Sequence, residues 1–266
     1  MTDGAFNQMA TDYDDVFTNS KIGQLQREKV WGYLNKNIRF GDNFRVLELN
    51  CGTGEDASIF AQKGCRVTAT DISSEMLNIS RAKAEKLGVS AAIEFKTLDI
   101  NNIEEYLFEN KYDLVFSNFG GLNCVSEKSI RLLKSTLTSI LKLDGRFIAV
   151  VMPTKCMMET IYFLLRFEVG KAFRRGKKQV EWKNNQGEVS MIHYYSPNEF
   201  RDSFKEVFEM KTLLPIGLWI PPSYTEQFFN RHGSILGALK SMEYVSKFSF
   251  LSSISDHYLI DFKLKN

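Results

Sequence analysis

The chain has 266 residues, 44% hydrophobic and 13% aromatic, so it can bury a full core; it is long for one domain and short for two. A net charge of +2 is too small to advertise a nucleic-acid or membrane surface, and no stretch of about 18 apolar residues is present, so neither membrane spanning nor a membrane partner is expected. Cys51, Cys65, Cys124 and Cys156 form no C-x-x-C pair, and residues 1–10 lack a basic region followed by an apolar run, which together read as reduced thiols in a cytoplasmic protein.

Residues 1–40 join an aromatic and acidic segment, Phe6 to Phe17, to a helical apolar pattern through Ile22, Leu25, Val30, Trp31 and Leu34. The organising stretch follows. From Arg45 to Ala57 an apolar strand gives way to a turn built on Gly52 and Gly54 and then to Glu55 and Asp56, acids suited to a helix N-terminus. The spacing Gly52-x-Gly54-x-x-Ala57 satisfies the dinucleotide fingerprint, but Glu48, Glu55 and Asp56 would surround two negative phosphates with no Lys or Arg between them. A ligand with an ammonium, a sulfonium and no phosphate fits better, because an acid at the turn can hold its cationic end. That ligand is S-adenosylmethionine, with S-adenosylhomocysteine as its product.

Val46 to Gly54 resembles the first motif of small-molecule class I S-adenosylmethionine-dependent methyltransferases, (V/I)-L-(D/E)-x-G-x-G-x-G, with Asn50 where the first glycine is usual. Asn tolerates positive φ better than other side chains, so the turn survives the exchange. The resemblance implies an α/β fold with a doubly wound, mostly parallel seven-stranded sheet, and a cofactor-binding core over residues 41–154. Phe6, Ala10, Tyr13, Asp14 and Phe17 also resemble the family's N-terminal lid helix, which would place Tyr13 over the cofactor; an aromatic helix packed on the sheet is the alternative. Arg27 is a further candidate for the cofactor carboxylate.

Cys65 to Asp71 reads as a second strand ending in an acid 17 residues after Gly54, placed to accept both hydroxyls of a ribose. Ser73 or Ser74 can cap the next helix. Asp71 to Leu77 resembles the family's second motif, in which Ile72 and Met76 flank the adenine. A third strand around residues 92–95 leads to Asp99 and Ile100, which the resemblance assigns to the adenine amino group and ring. Tyr112 to Asn118 is the fourth strand, and its exit, Asn118 to Cys124, should lie under the reacting sulfonium. That exit is not the N-P-P-Y/F sequence of enzymes that methylate amide or base nitrogens, which disfavours a nucleic-acid acceptor. A helix over 132–141 and a turn plus fifth strand over 143–151 complete an alternation that implies a parallel sheet.

Residues 155–195 form an insertion of about 40 residues, too long for a plain connection and read as a lid: an aromatic helix over 161–173, a basic run (Arg174, Arg175, Lys177, Lys178) read as a solvated helix end, and a hairpin turning at 184–187. Residues 196–266 return to the core with strand six near 211–215 and strand seven near 256–262, around a second lid piece at about 218–255. In the resembled fold strand seven runs antiparallel, which brings Asp256 and His257 to the ligand edge of the sheet. His257 is then the candidate base, with His193 and His232 as alternatives, for a hydroxyl acceptor; an acidic phenol or an amine needs none. No cluster of acids calls for a metal. The reading is a methyltransferase for a small organic acceptor, oxygen ahead of nitrogen or carbon. An RNA or protein methyltransferase and a non-catalytic S-adenosylmethionine-binding regulator are the alternatives, a dinucleotide oxidoreductase a remote third, and the oligomeric state is left open.

Overall fold

A computed structural model describes residues 13–183, 189–226 and 233–265. A short π-helical turn, Asp14–Thr18, leads into helix α1 (Lys21–Asn37), whose first turn is capped by Ser20, its side chain accepting from Gly23 N. Strands and helices then alternate: β1 (Arg45–Leu49), α2 (Glu55–Gln62), β2 (Arg66–Asp71), α3 (Ser74–Lys86), β3 (Ile93–Thr97), β4 (Tyr112–Ser117), α4 (Glu127–Ile140) and β5 (Leu141–Val151). The first insertion holds α5 (Met157–Leu165), α6 (Val169–Ala172) and the antiparallel pair β6 (Gln179–Lys183) and β7 (Val189–His193). The expected hairpin turn at 184–187 and His232 lie outside the described residues, as do residues 6–12 of the lid segment. The capping-box helix α7 (Pro197–Phe204), β8 (Phe208–Ile216), helix α8 (Gly233–Val245) and β9 (His257–Leu264) complete the chain.

The main sheet has seven strands in the order β3-β2-β1-β4-β5-β9-β8. All pairings from β3 to β5 are parallel, and β9 runs antiparallel between β5 and β8, as expected for the last strand. Parallel strands need crossovers, and each crossover lays a helix on a face, so strand residues are buried on both sides. β5 shows the consequence: Phe147, Ala149 and Val151 join one core with Leu133 and Leu137 of α4, while Ile148 and Val150 join the other with Trp31 of α1 and Phe60 of α2. Strand ends at Leu49, Asp71 and Ser117 stand at one edge of the sheet, and β9, being reversed, starts there with His257.

Candidate functional site

The turn after β1 takes its shape from three left-handed residues, Asn50 (φ +55°), Gly52 (φ +53°) and Gly54 (φ +75°). Gly54 is dictated by packing, since a Cβ there would come 1.8 Å from Ser80 Oγ on α3. Asn50 fills the place of the missing first glycine by leaning on Gly121, where a Cβ would fall 2.5 Å from Asn50 Cβ. A glycine beyond β4 thus makes room for the side chain that β1 gained.

Acids define the site's electrostatics, and the structure corrects the expectation of three carboxylates without cations. Asp56 is held by Arg27 Nη1, by Trp31 Nε1 at 2.7 Å and by Asn118 Nδ2 at 2.9 Å. Glu55 pairs with Lys83 Nζ at 3.0 Å, and the same ammonium meets Asp14 at 2.9 Å. Both cations come from helices distant in sequence, so spacing around the turn could not reveal them. Glu48 alone of the three has no ion pair among the described residues; its Oε2 and Asn50 Oδ1 are buried without hydrogen-bond partners there. Burial, with Asp56 nearby, pushes the Glu48 carboxyl well above the ordinary carboxylate range.

Asp71 ends β2 almost fully buried; its Oδ2 accepts from Gly52 N and its Oδ1 from Ser73 N, both at 2.9 Å. The acid is therefore oriented by the glycine turn itself. A cleft of about 140 Å³ is lined by Tyr13, Asn50, Gly52, Asp71, Ile72, Met76, Asn118 and the Phe119 to Gly121 and Cys124 exit of β4. A smaller recess of about 30 Å³ shares Tyr13, Asn50, Gly52, Asn118 and Phe119 and adds Glu48, Arg27 and Asp56. Arg27 lies over the Phe119 ring, 5.0 Å from its centroid. Burial pushes the Tyr13 phenol up to about 12, so it stays a neutral donor at physiological pH. A larger cavity of about 770 Å³ opens at the starts of β2 and β3, the opposite end from the glycine turn and from the edge where parallel sheets bind ligands.

Not every expected residue joins the cleft. Asp99 instead caps the turn after β3, accepting from Asn101 N at 2.9 Å, and Ile100 is buried in the core beside α4. Gly54 serves helix packing. His257 stands behind Phe119, ring centroids 5.6 Å apart at 86°, and lines neither recess. Its Nδ1 lies 3.2 Å from Asp256 Oδ2 yet is not aligned for a hydrogen bond. His193 is farther off, facing a groove with Tyr195 and Glu199 between α4 and α7, its pKa lowered by burial. The antiparallel strand does bring His257 to the right edge; Phe119, whose ring direction no sequence pattern fixes, separates it from the ligand space.

The first half of the basic run departs from the expected solvated helix end, while Lys177 and Lys178 are exposed as expected. Arg175 is 5% exposed, bonded to Glu159 Oε2 at 2.8 Å and to Asp256 Oδ1 at 2.6 Å, while Arg174 bonds Glu159 at 2.9 Å. Cys156, Glu159 and Asp256 have metal-ligand spacing, but Arg175 Nη2 already bonds both carboxylates and supplies the cation. Burial pushes both carboxyls up; Arg175 and Arg174 for Glu159, and His257 and Arg175 for Asp256, more than offset it and hold them below the usual range. Gln26 Nε2 donates to Asp256 Oδ2 at 3.0 Å, so this cluster ties the first insertion to α1 and to the residue preceding β9.

The model of the methyltransferase domain family matches residues 46–145. A Geobacillus sp. (strain WCH70) protein bearing a methyltransferase name is 37% identical over 102 residues, 38% of this chain and 39% of that one. The tRNA 5-carboxymethoxyuridine methyltransferase of Escherichia coli (strain K12) is 27% identical over 147 residues, 54% of this chain and 55% of that one. The chain thus spans between about two fifths and about half the length of these relatives. Among solved structures, an S-adenosylmethionine-dependent methyltransferase from Clostridium acetobutylicum ATCC 824 is similar in fold, with a TM-score of 0.60 over 98% of this chain and 99% of that one at 15% identity. Sheet order, glycine turn and domain match agree: residues 46–145 are a methyltransferase domain, set in a seven-stranded fold similar to that of S-adenosylmethionine-dependent methyltransferases of solved structure.

Proposed function

We propose that this chain transfers a methyl group from S-adenosylmethionine to a small organic acceptor through an oxygen that is already ionised, such as a carboxylate or an acidic phenol. The observation that carries the reading is the pair of orphaned acceptors, Glu48 Oε2 and Asn50 Oδ1, in a recess that Arg27 also lines. Buried acceptors without donors are costly unless a ligand satisfies them, and an α-ammonium offers three N–H donors. Arg27 beside it suits the α-carboxylate, so one small recess carries partners for both charges of an amino acid. Asp71, fixed by the Gly52 and Ser73 amides, would accept the ribose hydroxyls, and Ile72 and Met76 would bound the adenine.

When bound, the cofactor supplies a methyl group on a sulfonium, an electrophile that needs an aligned nucleophile. Tyr13, Asn118 and Phe119 line both spaces and would position that nucleophile and keep water out. Among the described lining residues of the larger cleft the titratable side chains are Tyr13, Asp71 and Cys124; burial pushes the tyrosine and the thiol up to about 12, and Asp71 already accepts two backbone amides. None is suited to take a proton from a neutral hydroxyl near pH 7, which is why an acceptor that ionises unaided is favoured.

Calorimetric titration with S-adenosylmethionine, S-adenosylhomocysteine and NADH, followed by S-adenosylhomocysteine release on a panel of carboxylates and phenols, tests the reading. Micromolar binding of the first two ligands, none of NADH, and turnover on a panel member are expected. Cofactor binding without turnover on any acceptor would favour the regulator reading. Salt-sensitive RNA binding with methylation of RNA would move the acceptor to nucleic acid.

A further inference from the structure

The segment from Lys155 to Lys183 carries eight Lys or Arg against three Glu, a net +5 in a chain whose total is +2. Two of these cations are turned inward on Glu159; Lys155, Arg166, Lys171, Lys177, Lys178 and Lys183 remain exposed, with Arg166 and Lys171 meeting Glu168 and Lys178 meeting Glu199 at the surface. On α5, Glu159 and Phe163 face inward, which leaves Ile161, Leu164 and Leu165, three and four residues apart, on one outward face. Leu165 is 77% exposed, and Phe167, just beyond the helix, is 92% exposed. Val169 and Phe173 are exposed as well.

Phe167 adds a second, independent observation. It closes α5 in the left-handed region at φ +61°, with Phe167 N donating to Leu164 O at 3.0 Å and Glu168 N to Phe163 O at 2.9 Å. That is the helix-ending turn in which glycine is the unstrained residue. Folding does not call for an aromatic ring there, and the ring is left in water.

We propose that this face of the first insertion docks on an anionic lipid surface, with Leu165 and Phe167 entering the interface and the exposed lysines against headgroup phosphates. Side chains so exposed protrude; they do not line a groove, which suits a soft interface better than a rigid protein partner. Ile161, Leu164, Leu165 and Val169 offer no stacking platform to unpaired bases and only Phe167 and Phe173 do, so the face as a whole suits lipid better than RNA. No described helix is long and apolar enough to cross a membrane, and surface attachment needs none, so the proposal revises the expectation of no membrane partner while standing apart from the methyl-transfer reading.

The test is sedimentation of the full chain with vesicles of phosphatidylcholine alone or with about one third phosphatidylglycerol, with thermal unfolding alongside. Partition at least tenfold higher on the anionic vesicles, falling with salt, is expected. Phe167→Gly should keep or raise the unfolding temperature, because it relieves the backbone, and still lower partition about tenfold. Lys177→Glu should lower it at least fivefold on the anionic vesicles and leave the neutral ones unchanged. Equal partition on both lipids, or wild-type partition by Phe167→Gly, overturns the proposal. A dimer or an RNA complex that forms without lipid and is lost in Phe167→Gly also overturns it, assigning the face to a second copy or to a polyanion.

Discussion

Replacing Gly121 by alanine tests how the departure from the family's glycine turn is accommodated. The new methyl would sit 2.5 Å from Asn50 Cβ and 2.8 Å from its Cγ and Oδ1, well inside contact distance. Neither side has an easy retreat: Asn50 is held at φ +55° between β1 and the turn, and Gly121 opens the short helical turn that leaves β4. Overpacking of this kind costs about 1–3 kcal/mol, which for a chain of this size lowers the unfolding temperature by about 3–10 °C. Asn50→Gly removes the atoms in conflict and suits the left-handed backbone, so the double variant should recover most of the loss. The coupling between the two sites is then about 1–2 kcal/mol, measured by urea unfolding of the wild type, both single variants and the double variant. The same four proteins titrated with S-adenosylmethionine separate the roles of Asn50: restored stability with weakened binding marks its Oδ1 as a ligand contact. Additive losses, with no recovery in the double variant, would refute the argument that Gly121 exists to accommodate Asn50.

Other variants probe the remaining parts. Asp71→Ala should weaken S-adenosylmethionine binding by about 1–3 kcal/mol in calorimetry, the worth of charge-assisted hydrogen bonds, and unchanged affinity would remove the ribose assignment. His257→Gln should leave the pH profile of turnover in place, since the ring lies behind Phe119; loss of the acid-side limb would restore it as a base. Arg175→Met strands Glu159 and Asp256 in the interior and should cost about 3–5 kcal/mol in urea unfolding. Both carboxyls sit below their unfolded values in the wild type, so their contribution is present above about pH 4 and is lost as pH falls through the folded values; the Arg175→Met variant should lack that acid-side loss. Burial pushes the Cys65 thiol up to about 11 and that of Cys156 to about 12, so a maleimide at pH 8 should label these two buried cysteines only as fast as the protein unfolds.

The sequence by itself determined the sheet and the position of the glycine turn. Continuous apolar strands alternating with amphipathic helices admit few arrangements other than a doubly wound sheet, and two glycines at the end of the first strand mark where its backbone must turn sharply. Asp71 was legible for the same local reason, as an acid closing a buried strand at fixed distance from that turn. Only the tertiary structure decided which charges are compensated. Arg27 and Lys83 reach Asp56 and Glu55 from other helices, and Arg175 crosses from an insertion to Asp256, pairings of 29, 28 and 81 residues' separation that no spacing rule encodes. It also decided what His257 faces, because the antiparallel last strand sets its position while the Phe119 ring sets its access. Backbone direction follows from local pattern; the company a side chain keeps is settled by packing between elements far apart in the chain.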